Sequence, residues 1–407
     1  MNKGHLSEYF EGVGIKILSE VDTEPKKSNQ HEIGTTLPMR KFLGTEKTTF
    51  DVTYIWLGDE QETITEPGWA THYDTREKQP LRSAEFRFYY AANSVTQIMS
   101  AGDTLFLAIR PDKTIVFIVV PSGSTIQNQL LWLFGIEEQP GLRFAVQEFE
   151  QETDSKLDFI SRFILDEIGI EFEDPNANSL DSIIERFGTT FPKTMEFSDL
   201  ARLTLPEVEA RDDPDGALLA WLNHEEAMFR RLEKKIVAER VTKGFIEGDE
   251  VDVDAFIKYS LSVQNRRKSR MGHSFENHLK AVFNAFEIKY EAQVKTEKGK
   301  KPDFLFPGQK EYEDQSYSIE LLTMLAVKSS CKDRWPQILP EAERIPEKHL
   351  VTLEPAISKP QTDMMKVSNV QLIVPGHIRD SYTGEQRSWI WTMNDFVELV
   401  VSKQTSC

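Results

Sequence analysis

The chain is poor in cysteine: Cys331 and Cys407 are the only two in 407 residues. Two thiols cannot build a disulfide framework, so stability must come from packed cores, and a reducing cytoplasm is the expected compartment. Long apolar runs are missing too. No stretch approaches the roughly 20 residues that span a bilayer as a helix, which speaks against a helical membrane protein. The first residues, Met1 to His5, lead into no apolar segment, so no signal peptide is expected. His273, His278 and His377 stand at no zinc-ligand spacing from a cysteine, so no zinc site is expected. An excess of positive charge is also lacking, the formal net charge being −18. That balance governs solubility and long-range steering, whereas binding depends on local patches.

What is present is an ordinary globular composition, 39% hydrophobic and 28% charged, on a chain long enough for two cores. The charge is unevenly spread. Residues 137–186 hold fourteen acids against four bases, and residues 261–310 hold eleven bases against five acids. Residues 1–135 read as mostly strands. Phe50 to Leu57 and Glu85 to Tyr90 alternate apolar and polar positions. Thr104–Ile109 and Thr114–Val120, separated by the turn cluster Arg110-Pro111-Asp112-Lys113, predict a hairpin in a compact barrel or sandwich. An amphipathic helix is expected around Leu157 to Ile164. After Asp213-Pro214-Asp215-Gly216 a long helical pattern runs through Leu218, Leu222, Phe229 and Ile236. From about residue 257 helices alternate with strands, which predicts an α/β domain. The boundaries expected are an N-terminal domain over 1–172, a linker over 173–200 and a second domain over 201–407.

Chemistry concentrates in two short apolar runs. Lys301-Pro302-Asp303-Phe304-Leu305-Phe306-Pro307 and Leu322-Thr323-Met324-Leu325-Ala326-Val327-Lys328 read as buried strands, each with one ionisable group at an end. A carboxylate that holds a hard cation, with an ammonium that favours deprotonation of an attacking water, is what metal-dependent phosphodiester hydrolysis needs. The usual pattern puts a second acid two positions before the lysine, and here that position is Ala326. Glu341, on a segment that reads helical after the second strand, is the candidate replacement. Pro336 and Pro340 in that segment can delay or kink its helix. Glu276 is a further candidate, placed in the first turn of a helix capped by Ser274 with Phe275, Leu279 and Phe283 on its apolar face. A turn at Pro302-Asp303 and a solvated Lys328 would account for the same residues without catalysis.

Asn265 to Arg270, Lys301 to Pro307 and Met324 to Trp335, taken in that order, resemble the catalytic domain of EcoRII-type restriction endonucleases over roughly residues 257–352. The resemblance implies a C-terminal α/β domain of the PD-(D/E)XK kind, a central mixed sheet flanked by helices. It implies an active site of Asp303, Lys328 and Glu341, with Glu276 and Tyr312 nearby, and Asp303 and Glu341 holding Mg2+. Lys332, Asp333 and Arg334 follow the catalytic strand. Lysine and arginine donate to guanine edges and an acid accepts from cytosine, so the resemblance implies reading of a CC:GG-type core, although an exposed ion-pair cluster fits the same residues. Cys331 and Trp335 read as packing residues. In Ala220 to Phe229, Leu222 and Glu226 stand where the family carries its arginine and aromatic base clamp, and neither can stack on a base.

The N-terminal region more loosely resembles the all-β DNA-binding pseudobarrel of EcoRII and of plant auxin-response factors. Ser28 to Ile33, Tyr73 to Arg76 and Arg82 to Tyr90 carry that likeness. It implies DNA contacts from Asn29, Gln30, Arg76, Arg82 and Arg87. The whole then implies a cytoplasmic bacterial or archaeal type II enzyme that acts on double-stranded DNA as a homodimer, with the N-terminal domain as allosteric effector. A non-enzymatic two-domain DNA-binding regulator and a modification-dependent or repair nuclease are the competing readings.

Overall fold

The computed structural model describes residues 6–23, 31–58, 63–79, 81–136, 144–148, 158–170, 180–247, 250–331 and 334–405. The chain divides into two compact units, Met1–Phe172 with Ala356–Ser358, and Glu173–Pro355 with Lys359–Cys407.

The first unit is built on an eight-stranded sheet. Its strands are β1 (Gly12–Ile17), β2 (Glu32–Gly34), β3 (Thr48–Trp56), β4 (Ile64–Asp74), β5 (Phe86–Tyr90), β6 (Thr104–Ile109), β7 (Ile115–Val120) and β8 (Phe144–Glu148). They lie in the order β2-β5-β4-β3-β7-β6-β1-β8, antiparallel except at the β3–β7 junction. Alternation along β3 and β5 sends Phe50, Val52, Tyr54, Phe88 and Tyr90 into one core. β6 and β7 pair as the expected hairpin, Ile109 opposite Ile115, and Lys113 takes a positive φ of 67° in the turn between them. Helix Thr125–Phe134 starts at a Ser124 cap and ends at left-handed Gly135. Asn29 and Gln30 lie outside the described residues.

The second unit carries a five-stranded sheet, β11 (Glu291–Ala292), β12 (Phe304–Phe306), β13 (Thr323–Lys328), β14 (Lys348–Thr352) and β15 (Val370–Ile373), in that order. β11–β12–β13 are antiparallel and β13–β14–β15 parallel, so the sheet is mixed. A small ribbon, β9 (Ile246–Glu247) with β10 (Glu250–Val251), joins two long helices, Pro214–Lys243 and Val253–Ala285. The second helix is capped by Asp252 and continues through Ser274, which is therefore an interior residue and not the cap expected of it. Its Phe275, Leu279, Val282 and Phe283 are buried, and the Phe283 ring meets Phe304 and Phe306 of the sheet edge-on at 5.2 Å each.

The stretch expected as a linker is partly structural. Leu180, Ile184, Phe197, Leu200 and Ala201 pack with Met228, Phe229 and Leu232 in a helical core, because apolar residues recur at helical spacing there. Below them lies a buried polar cluster. His278 Nε2 is 3.0 Å from Glu225, Arg270 is 3.4 Å from the same carboxylate, and Asn277 donates to Ser198. No helix among the described residues is long and apolar enough to cross a membrane.

Candidate active site

β12 and β13 run antiparallel with Phe304 opposite Leu325, so Asp303, just before β12, falls opposite Ala326. The Asp303 carboxylate accepts the backbone N–H of Val327 at 2.7 Å through one oxygen and Gln293 Nε2 at 2.7 Å through the other. Alternation along β13 puts Lys328 and Ala326 on one face. The two sequence-predicted groups are thus brought together by strand pairing, and Ala326 presents only a buried methyl where a second acid could have stood.

Glu341, the expected replacement, is carried by no helix. Pro336 enters a single 3-10 turn, Trp335–Ile338, and the chain then bends. The Glu341 N–H closes on the Ile338 carbonyl at 3.0 Å, and Ala342 follows with a positive φ of 45°. The prolines explain the departure, since neither can donate to a continuing helix. The Glu341 pKa is raised to about 7, by burial first and the Asp303 charge second, against the lowering pull of Lys328, Lys300 and Lys348. Its Oε2 is buried without a hydrogen-bond partner.

Glu276 joins from the long helix. It lies two turns before Phe283, about 10 Å along the axis on nearly the same face, and Phe283 is seated on β12. Its pKa is raised, chiefly by burial and then by Asp303, with Lys280, His273 and Lys328 opposing. Glu276 and Glu341 thus both feel the charges of Asp303 and Lys328 at the ends of two neighbouring strands.

Tyr312 plays a different part from the one expected. Its buried hydroxyl donates to Glu297 at 2.6 Å and accepts the Arg344 N–H at 3.1 Å, while Glu297 also accepts the Glu343 N–H at 3.2 Å. Burial and the Glu297 carboxylate push the phenol up. Tyr312 latches the bend that carries Glu341, its hydroxyl being taken up by Glu297 and Arg344. Sequence reasoning missed Glu297, Gln293 and Lys348, whose roles depend on residues far away along the chain.

Among the described residues no three His, Cys, Asp or Glu side chains are grouped closely enough to cage a metal. The donor set fits a different kind of ion. A hard, strongly hydrated divalent cation keeps several waters and takes one or two carboxylates, and Asp303 with the unpartnered Glu341 oxygen offers that. Such an ion would also offset the burial and the Asp303 charge that raise the Glu341 pKa.

Beyond β13, Cys331 is fully buried and its N–H donates to the buried Glu354 at 2.7 Å. Lys332 and Asp333 lie outside the described residues. Arg334 is exposed, its guanidinium 3.4 Å from the Ser330 carbonyl, and Trp335 is buried. Leu222 is buried, Glu226 pairs with Arg230, and the cavity they flank is about 10 Å³, room for a water and far short of a base. In the first unit Arg76 and Arg87 both pair with Glu85, and Arg82 is exposed.

Residues 229–397 match the family model described as EcoRII C terminal. The type II restriction enzyme EcoRII of Escherichia coli is 42% identical over 186 residues, which are 46% of this chain and 45% of that protein. The match thus spans less than half of that relative's length. Among solved structures, metal-depleted Ecl18kI in complex with uncleaved, modified DNA aligns at 16% identity and a TM-score of 0.46, covering 58% of this chain and 86% of that one. The complex of restriction endonuclease PspGI with substrate DNA aligns at 16% identity and a TM-score of 0.44, covering 53% and 95%.

Proposed function

We propose, on the premise that residues 229–397 belong to the EcoRII C-terminal family, that this protein is a type II restriction endonuclease hydrolysing both strands of double-stranded DNA. The observation that carries the reading is the meeting of Asp303, Lys328 and Glu341 at neighbouring strand ends, with Glu276 behind them. A non-enzymatic DNA-binding protein has no use for two half-buried acids with raised pKa that both feel the charges of Asp303 and Lys328.

Asp303 and Glu341 would hold Mg2+, which when bound supplies charge neutralisation at the scissile phosphate and acidifies a water. The chain's own part follows from its geometry. The Val327 N–H and Gln293 hold the Asp303 carboxylate in one orientation. Lys328 places an ammonium where a phosphate oxygen and an attacking hydroxide both carry negative charge. Glu276 is raised in pKa and can share a proton with water in the site. Cutting two antiparallel strands at one place calls for two such sites related by a two-fold axis, hence a homodimer.

Lys332, Asp333 and Arg334 then read a G·C-rich, CC:GG-like core. The N-terminal unit, taken as residues 1–172, serves as a pseudobarrel that binds a second DNA copy through Asn29, Gln30, Arg76, Arg82 and Arg87. By this reading it acts as effector of the cutting unit, residues 201–407. Leu222 is buried and the cavity beside it and Glu226 is too small for a base, which favours a target read without base flipping.

The test is digestion of plasmid and phage DNA with Mg2+, with and without a chelator, alongside Asp303→Ala. Discrete fragments sharing one end sequence, abolished by chelator and by the substitution, are expected. Binding of specific DNA with no cleavage under any divalent ion would favour a regulator. Cleavage only of methylated DNA would favour a modification-dependent enzyme.

A further inference from the structure

Lys348 opens β14 and is only 5% exposed. An ammonium has three hydrogens to give, and here all three go to backbone carbonyls: Glu341 at 2.6 Å, Ala342 at 2.7 Å and Ile345 at 2.6 Å. Carboxylates stand close by, since Glu297, Glu341 and Glu343 all act on its charge. None takes a hydrogen bond from it. Its donors are spent on the path of the main chain.

That path needs holding. Ala342 has φ 45°, a left-handed conformation that disfavours a residue with a Cβ. Lys348 clasps the carbonyls on both sides of the strained residue. From the opposite side the Thr296 hydroxyl accepts the Ala342 N–H at 3.3 Å, and Glu297 and Tyr312 take the N–H groups of Glu343 and Arg344. With no helix to present Glu341, this clasp is what stands in for one.

We propose that Lys348 is a positioning residue whose ammonium, by binding the carbonyls of residues 341, 342 and 345, fixes the bend that presents Glu341 beside Asp303 and Lys328. The proposal rests on the nuclease reading of that site and adds to it the device that compensates for Ala326. With all three donors taken by the main chain, Lys348 has none left for DNA or the reacting atoms.

Position and charge make opposite claims here, which gives a clean measurement. Removing a positive charge next to several carboxylates should, by electrostatics alone, tighten binding of a divalent cation. Loss of a positioned ligand should weaken it. Binding of Mn2+ to the full chain, followed by the paramagnetic resonance of free Mn2+, is compared for the parent, Lys348→Met, Lys348→Arg and Asp303→Ala, with circular dichroism and melting as controls of folding. Lys348→Met is expected to bind Mn2+ about tenfold more weakly and to lose cleavage while keeping DNA affinity. Unchanged or tighter Mn2+ binding overturns the proposal. If Lys348→Met does not fold, Lys348→Arg decides. It keeps the charge, but a planar guanidinium cannot aim at three carbonyls around one point as an ammonium does. Mn2+ binding weakened severalfold supports positioning, and parent-like binding overturns it. Asp303→Ala separates the two levels. If it also leaves Mn2+ binding and cleavage intact, the active-site reading falls and takes this inference with it. If it abolishes them while the Lys348 variants do not, the Lys348 assignment alone is wrong.

Discussion

The Asp303 carboxylate accepts the backbone N–H of Val327 at 2.7 Å, tying the group that precedes one strand to the residue before Lys328 on the next. The tie makes the spacing of carboxylate and ammonium a property of the sheet instead of side-chain rotamers. Asp303→Asn keeps the shape and an acceptor while removing the charge. It should fold with the parent's melting temperature and bind DNA, yet cleave at least about a hundredfold more slowly. Lys328→Ala should behave alike. Cleavage within tenfold of the parent by either variant would reject the site.

Glu341 and Ala326 can be tested as alternatives for one duty. Glu341→Ala should reduce cleavage nearly as far as loss of Asp303. Ala326 shares the face of Lys328 and is fully buried, so a glutamate there needs the room that truncating Glu341 opens. The double variant Ala326→Glu with Glu341→Ala should therefore recover part of the lost rate, while Ala326→Glu alone should destabilise through crowding and like charge. No recovery, with the double variant folded, would show that the sheet position cannot replace the bend.

The raised pKa of Glu341, about 7 against an ordinary 4.5, has a thermodynamic consequence. Between those values the folded chain holds more protons than the unfolded one, so its stability falls as pH rises across that window. The metal-free protein should melt lower at about pH 8 than at about pH 5, and Mn2+ should restore the difference at the higher pH. Glu341→Gln should flatten this part of the profile. A slope unchanged in that variant would assign the pH dependence to other groups.

The buried trio of Glu225, Arg270 and His278 should matter for folding alone. Burial lowers the pKa of His278, leaving one carboxylate facing one guanidinium near neutrality. Glu225→Leu strands the arginine and should cost on the order of 3 kcal/mol in urea denaturation. A change under about 1 kcal/mol would show that water already reaches the cluster.

Glu85 holds both Arg76 and Arg87, and these pairs lower its pKa, the Arg87 hydrogen bond most. If the arginines serve DNA, Glu85→Gln should release them. DNA affinity of the full chain should rise with a steeper salt dependence, most clearly when Asp303→Ala prevents cutting. Equal affinity and slope in the two proteins would remove Arg76 and Arg87 from the interface.

Much of this was legible along the chain because it rests on local patterns. The period of two in β3 and β5, the Arg110 to Lys113 turn and the apolar face of the long helix each depend on neighbours within a few residues. Asp303 and Lys328 were legible for the same reason, each a charged residue at the end of an apolar run. The start of the long helix was misread because Asp252 and Ser274 are both good caps, and only packing tells which one is used. Asp174 to Ser179 carries the residues of a loop, while the apolar residues from Leu180 onward find partners in the helix Pro214–Lys243, a pairing that no local pattern announces.

The two short strands by themselves point to a candidate carboxylate, Asp303, and a candidate ammonium, Lys328, and show no acid at 326. They do not specify how Glu341 reaches them. Pro336 rules out one way, a helix, without supplying another. The answer lies in contacts from Lys348, Thr296, Glu297 and Tyr312, up to 46 residues away in sequence. Each is an unremarkable polar residue until the fold brings it to the bend. Hydrogen bonds of that range carry no periodic signature, since they depend on where separate elements meet and not on what stands beside them in the chain.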